Sequence, residues 1–185
     1  YFKGGVKPIK VRISDRDRAA PHGTGDIKAG LNYAMSLYNI VDAHNCGYAE
    51  NMYTDPASHT FIEETGGANI LFVTKNGTLV TPKSGSILPS ITRRSLITVA
   101  KDILGMKVEE RAVNKKEIKK FVECGLCGTA AVISPIGQID DHGKSIMLPS
   151  GMDEIGPVMN KLRETLTGIQ MVTVKGPEGW VVEIQ

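Results

Sequence analysis

Asp26-Ile27-Lys28-Ala29-Gly30-Leu31-Asn32-Tyr33 joins a strand to a helix, and the organisation of the chain unfolds outward from it. Upstream, Pro8 to Ser14 alternates Ile9, Val11 and Ile13 with Lys10, Arg12 and Ser14, the pattern of a half-buried strand. Asp15 to Gly25 is rich in charge, Gly and Pro, and reads as a loop carrying Arg16, Arg18 and His22. Downstream, Ala34, Leu37, Tyr38, Val41 and His44 or Cys46 recur at helical spacing between about Ala29 and Cys46. Gly47 suits the position just past the helix end. Lys28 therefore sits in the loop immediately before an amphipathic helix.

Further along, strands are expected at Glu50–Thr54 and Thr60–Glu64, joined by the Asp55-Pro56 turn. Asn69–Thr74 and Thr78–Thr81 form a hairpin through Asn76-Gly77. Gly66-Gly67 interrupts the run between them, as a bulge or a close backbone approach would. Ser90 is the N-cap of a helix reaching Leu104 and stopped by Gly105. Lys107–Val113 reads as a strand, and Asn114-Lys115-Lys116-Glu117 as a capping box opening a short helix to about Val122. Gly128 to Ser134 is small and β-branched, with Pro135 ending it and Gly137 turning the chain. The last helix spans about Asp153–Thr167, with Pro157 in its first turn, a stripe of Ile155, Val158, Met159, Leu162 and Leu166, and Gly168 at its end. Trp180–Ile184 is the final expected strand. Hairpins and crossovers together imply a mixed α/β fold, not a doubly wound Rossmann sheet.

Composition narrows the function classes. The 185 residues are 41% hydrophobic and 23% charged with a formal net charge of +2, so one globular domain is expected, without the basic surface that nucleic acid selects. No stretch has the length of a membrane-spanning helix or the form of a signal peptide. Three cysteines, two of them in Cys124-Gly125-Leu126-Cys127, suit a reducing cytoplasm better than a disulfide framework. The chain opens on Tyr1 and runs directly into Gly4-Gly5, which reads as a piece of something longer.

Four segments could carry chemistry. A lysine near a helix N-terminus feels the positive end of the dipole, which favours a neutral, nucleophilic amine able to condense with a carbonyl; the alternative for Lys28 is a solvated side chain. Glu63-Glu64 precedes Thr65-Gly66-Gly67, and adjacent strand residues point to opposite faces, so only one carboxylate can face a given pocket. A buried carboxylate needs a cationic partner, for which a protonated pyridine nitrogen would serve. Leu88-Pro89-Ser90-Ile91-Thr92-Arg93 offers free N–H groups and a hydroxyl to an anion, or is an ordinary cap. Gly128-Thr129-Ala130-Ala131 lets an anion approach the backbone, or is a tight strand entry. The Cys pair lacks the second pair that a zinc site needs, and His22, His44, His59 and His142 are scattered, so no metal is expected.

Taken in order, these segments resemble one family. Arg18-Ala19-Ala20-Pro21 followed by Asp26 to Tyr33 resembles the lysine region of the branched-chain-amino-acid aminotransferases, and Phe61 to Asn69 resembles their pyridine-facing glutamate segment. Leu88 to Arg93 and Gly128 to Ala131 resemble their two phosphate loops. The match runs through essentially the whole chain, and as a set the motifs are specific to fold-type IV pyridoxal-phosphate enzymes. The resemblance implies a mixed α/β pseudobarrel, residues 1–185 being the large cofactor-binding domain. The family's smaller N-terminal domain, which supplies an arginine to the cofactor phosphate and part of the side-chain pocket, is not in this sequence.

Residue by residue, the resemblance implies that Lys28 is the catalytic, cofactor-bonded lysine and proton carrier. Tyr33 would bond the cofactor's phenolic oxygen, and Glu64 rather than Glu63 its pyridine nitrogen. Ile91, Thr92, Gly128 and Thr129 would hold the phosphate, and Thr129, Ala130 and Ala131 the substrate carboxylate. The implied reaction transfers the amino group of leucine, isoleucine or valine to 2-oxoglutarate in a cytoplasmic homodimer, with neither nucleic acid nor membrane as partner. Within the same fold, a D-amino-acid aminotransferase or an aminodeoxychorismate lyase shares the lysine and glutamate. Arg-Ala-Ala-Pro and Gly-Leu-Asn-Tyr favour the branched-chain group. Outside it stand a non-catalytic binding or assembly domain and a zinc or redox module. Relatives with a redox dithiol place it after the Gly-Thr segment, whereas Cys124 and Cys127 precede Gly128, so no redox switch is transferred.

Overall fold

The lysine loop connects β1 (Ile9–Ile13) to α1 (Gly30–Asn45), as the alternation and the helical spacing require. The computed structural model describes residues 6–182 and 184. Gly4-Gly5 and Glu183 lie outside the described residues. Next come β2 (Glu50–Thr54), β3 (Phe61–Thr65), β4 (Asn69–Thr74) and β5 (Leu79–Pro82). The β4–β5 hairpin turns at Asn76-Gly77, where Gly77 has φ +79°. Then α2 (Ile91–Thr98) runs on through a wider π turn, Val99–Ile103, and Gly105 at φ +63° ends it. Strands β6 (Val108–Arg111) and β7 (Val113–Asn114) precede a 3₁₀ turn, Lys115–Lys120. Both halves of its Asn114/Glu117 capping box are formed. The chain continues through β8 (Phe121–Gly128), β9 (Val132–Asp141), β10 (Lys144–Met147) and α3 (Pro157–Gln170).

Among the described residues the strands form one mixed sheet in the order β6-β5-β4-β8-β9-β1-β2-β3-β7, with β10 paired to β9. β1 runs parallel to both β2 and β9, and β5 parallel to β6; the other pairs are antiparallel. β3 also packs against β4 across the Gly66-Gly67 turn, so the sheet curls on itself. Alternation along β4 divides the core. Ile70 and Phe72 enter a cluster inside the curl, where Phe72 stacks on Phe121 at 4.4 Å, while Leu71 and Val73 pack under α2 and α3. No helix among the described residues is long and apolar enough to cross a membrane.

Several expectations are corrected. The short helix after Asn114 stops at Lys120 rather than Val122, because Phe121 already enters β8. Pro135 and Gly137 do not break the chain: both lie inside the ten-residue β9, whose pairing with β8 skips the need for a turn there. The last helix starts at Pro157, not Asp153, and continues to Gln170, so Gly168 is inside it. Residues 180–182 and 184 are not in a strand.

α1 is the largest departure. Its apolar stripe exists, but Leu37, Tyr38 and Val41 face outward, and the helix buries Asn32, Ser36, Asn39 and Ala43 instead.

The start of α3 is held from another element. Glu123 of β8, 4% exposed, accepts the N–H groups of Val158 (3.1 Å) and Met159 (2.8 Å), placing a carboxylate at the positive helix end. The N-cap is Gly156, and a Cβ there would overlap the Glu123 carboxyl group. Replacing Glu123 with alanine is expected to cost about 1.5–3 kcal/mol in urea unfolding, since two buried N–H donors lose a charged acceptor.

Candidate active site

Asn32 determines where Lys28 stands. Its side-chain amide, on the first turn of α1, donates back to the carbonyls of Thr24 (2.7 Å) and Ile27 (3.0 Å), so the loop is pinned on both sides of Asp26. Lys28 emerges from that loop exposed, not partly buried, at the rim shared by two adjoining clefts. The first cleft is bordered by Arg18, Tyr33, Glu64, Ser90 and Thr129. Glu50, His44, Ala130 and Ala131 border the second. Gly67, Gly128 and Thr129 belong to both walls.

Glu63 and Glu64 diverge as neighbouring strand residues must. Glu63 turns away from Lys28 and accepts a hydrogen bond from Ser84 Oγ at 2.7 Å. Glu64, 4% exposed, faces the first cleft and is held from three directions. Arg18 Nη2 lies 3.1 Å from Oε1, the Leu88 N–H donates to Oε1 at 3.0 Å, and Asn69 Nδ2 donates to Oε2 at 2.7 Å. Burial pushes this carboxyl up to about 7, while Arg18 and the Leu88 N–H pull the other way. The guanidinium itself is anchored to the carbonyls of Gly25 and Ser86. Gly25 tolerates this approach only without a side chain, since a Cβ would strike Ser86 and the guanidinium. Arg18 appeared in the sequence only as part of a motif; its role as the buried partner of Glu64 was not legible there.

On the opposite wall, Ser90 caps α2 by accepting the Arg93 N–H at 3.2 Å. Among the described residues this leaves the N–H groups of Ile91 and Thr92 without a partner at the helix start. The side chains on the cleft wall here are Leu88 and Ser90, whereas Ile91 is exposed and Thr92 buried. Gly128 ends β8, and Thr129, Ala130 and Ala131 form the turn into β9. Thus Lys28, Tyr33, Glu64, Gly128 and Thr129 come together in one cleft, with Ala130 and Ala131 next to it.

The Cys-x-x-Cys pair does not join this group as a dithiol. Three residues apart on a strand, Cys124 enters the core inside the curl and Cys127 the core under the helices. Both are buried and free, and burial pushes the Cys127 thiol up to about 12. Neither a redox pair nor a zinc module fits that placement.

An exposed amine and a buried carboxylate in one cleft, with the unpaired N–H groups that start α2 following Ser90 of its wall, suit an electrophilic, anionic cofactor. The comparisons agree in kind. Residues 4–139 match the family described as amino-transferase class IV, and the chain belongs to it. A branched-chain-amino-acid aminotransferase of Haemophilus influenzae is 47% identical over 190 residues, covering 100% of this chain and 55% of that protein. Branched-chain amino acid aminotransferase structures from Escherichia coli and, in a pyridoxal-phosphate form, Thermobaculum terrenum superpose with TM-scores of 0.83 and 0.80. They are 31% and 32% identical, covering 96% and 90% of this chain and 56% and 52% of theirs. The chain spans about half the length of the curated relatives it matches.

Proposed function

We propose that the full-length protein is a pyridoxal-phosphate-dependent branched-chain-amino-acid aminotransferase, and that residues 1–185 are its large, cofactor-binding domain. The observation that carries this is the placement of Lys28 opposite the Arg18-supported Glu64 across one cleft. The donor set suits the cofactor: an amine for its aldehyde, a buried carboxylate for its pyridinium, and backbone N–H groups for its phosphate. Lys28 would hold it covalently, Tyr33 its phenolic oxygen, Glu64 its ring nitrogen, and Ile91, Thr92, Gly128 and Thr129 its phosphate. When bound, pyridoxal phosphate supplies a ring that delocalises negative charge formed at the substrate Cα.

The chain's own groups do the rest. Lys28 Nζ would carry the proton between the substrate Cα and the cofactor's C4′ carbon, its exposed position at the rim of both clefts giving it reach to either. Ionised Glu64 would keep a proton on the ring nitrogen. Thr129, Ala130 and Ala131 orient the substrate carboxylate. Leucine, isoleucine and valine are the proposed donors and 2-oxoglutarate the acceptor. A homodimer in the cytoplasm is the proposed setting, which suits three unpaired thiols. Amino transfer from leucine and from D-alanine on the full-length protein tests the assignment. Leucine turnover is expected, and D-alanine turnover alone would reject it in favour of a D-amino-acid enzyme.

A further inference from the structure

Glu64 ends one side of the Gly66-Gly67 turn and Asn69 opens the other, so the two face each other where β3 gives way to β4. Both are buried, at 4% and 3% exposure. Asn69 Nδ2 lies 2.7 Å from Glu64 Oε2 and 3.1 Å from the Leu88 carbonyl oxygen. Both partners are acceptors, so the amide donates one N–H to each. The Leu88 N–H donates in turn to Glu64 Oε1 at 3.0 Å. These three bonds close a ring in which Leu88 is gripped on both sides, its N–H by the carboxylate and its C=O by the amide.

Leu88 leads directly into α2. Its carbonyl also accepts the Ser90 N–H at 2.8 Å, while Pro89 between them has a fixed φ and no N–H of its own. Ser90 caps the helix, and the N–H groups of Ile91 and Thr92, unpaired among the described residues, follow it. We infer that Asn69 is a positioning residue: by holding the Leu88 carbonyl while bonded to Glu64, it couples that carboxylate to the start of α2 and fixes their separation. Its consequence for the cofactor rests on the aminotransferase reading; the hydrogen bonds themselves do not.

The coupling matters because pyridoxal phosphate carries its ring nitrogen and its phosphate on one compact molecule. A carboxylate and a helix start already held at the right separation meet both ends without further ordering, and slack between them would cost affinity. The residue type follows from the same geometry. An amide supplies two donors in one plane to two acceptors, which a hydroxyl cannot do, and an aspartate of equal size would set a second carboxylate against Glu64. Asn69 also pairs with Cys127 in the β4–β8 ladder, immediately before Gly128 and Thr129, so its backbone is fixed independently of its side chain.

Equilibrium dialysis of the full-length protein at pH 8 against pyridoxal phosphate and against pyridoxal, which lacks the phosphate, tests this. Asn69→Ala is expected to weaken binding of pyridoxal phosphate about 10-fold more than binding of pyridoxal, because the phosphate loses a pre-placed helix start. A merely structural asparagine would leave the ratio of the two affinities unchanged. In the protein without cofactor, the N–H groups of Leu88 and Ser90 should exchange about 10-fold faster in Asn69→Ala while the β4–β8 pair stays protected. Equal weakening of both ligands, or unchanged exchange at Leu88 and Ser90, overturns the coupling. If Asn69→Ala does not fold, Asn69→Leu, which fills a similar volume without a donor, decides it by the same two measurements. Failure of the unsubstituted protein to bind either ligand would reject the aminotransferase reading, leaving exchange to judge the hold of Asn69 on Leu88.

Discussion

Lys28→Ala in the full-length protein is expected to lower leucine-dependent amino transfer by about 10³-fold or more and to leave the melting temperature within about 2 °C. The two halves of that result have separate causes. Lys28 is exposed and forms no hydrogen bond or ion pair among the described residues, so its side chain contributes little to stability. Its loop is held by Asn32 and not by Lys28 itself, so the neighbouring groups keep their places when the amine is lost. Lys28→Arg sharpens the experiment, because it preserves the charge but replaces a nucleophilic amine with a guanidinium that stays protonated. It should be as inactive as the alanine variant. Peptide mass mapping after borohydride treatment should find pyridoxal phosphate on Lys28 of the unsubstituted protein and on neither variant. Cofactor mapped to another lysine, or activity retained by Lys28→Arg, would remove the residue from the centre of the site.

Local chemistry made much of this legible from sequence. The Asn76-Gly77 turn, the Ser90 cap and the Asn114/Glu117 box each depend on a few neighbouring residues, and each forms as expected. The divergence of Glu63 and Glu64 needs only strand geometry. What was hidden depends on partners far along the chain. Helical spacing located the apolar stripe of α1 but not its direction, since Asn39 and Ser36 face inward to meet Asn51 and the Gly66 turn. Pro135 and Gly137 suggested a break because their place in β9, between β8 and β1, is a matter of pairing across the sheet. Spacing alone did not say whether the Cys pair could act as a dithiol; three residues apart on the strand β8, the two thiols enter different cores.

Arg18→Met is expected to destabilise the protein by about 3–5 kcal/mol at pH 8, and by much less at pH 4.5. Arg18 and Glu64 are 7% and 5% exposed at their side chains, with Nη2 3.1 Å from Oε1, so removal of the cation strands a charge in the interior. Burial already raises Glu64 from 4.5 to about 7 with Arg18 present. A carboxyl raised in this way favours the folded state most below 4.5; that contribution is lost as pH rises toward 7 and changes little above it. Without the guanidinium the folded value moves higher still, so the variant goes on losing stability through pH 7 where the unsubstituted protein has levelled off. Below pH 4.5 Glu64 is neutral in both folded and unfolded chains, and only the packing of Arg18 and its bonds to Gly25 and Ser86 remain to be lost. Urea unfolding across this range reads the difference directly. Adding Glu64→Leu to Arg18→Met should recover most of the stability at pH 8, because a pair of apolar side chains needs no compensation. It should not recover the affinity for pyridoxal phosphate, whose ring nitrogen would then face no carboxylate. An equal loss at pH 4.5 and pH 8 would instead mean that Arg18 serves the Gly25 and Ser86 carbonyls, and that Glu64 is kept ionised by the Leu88 and Asn69 donors alone.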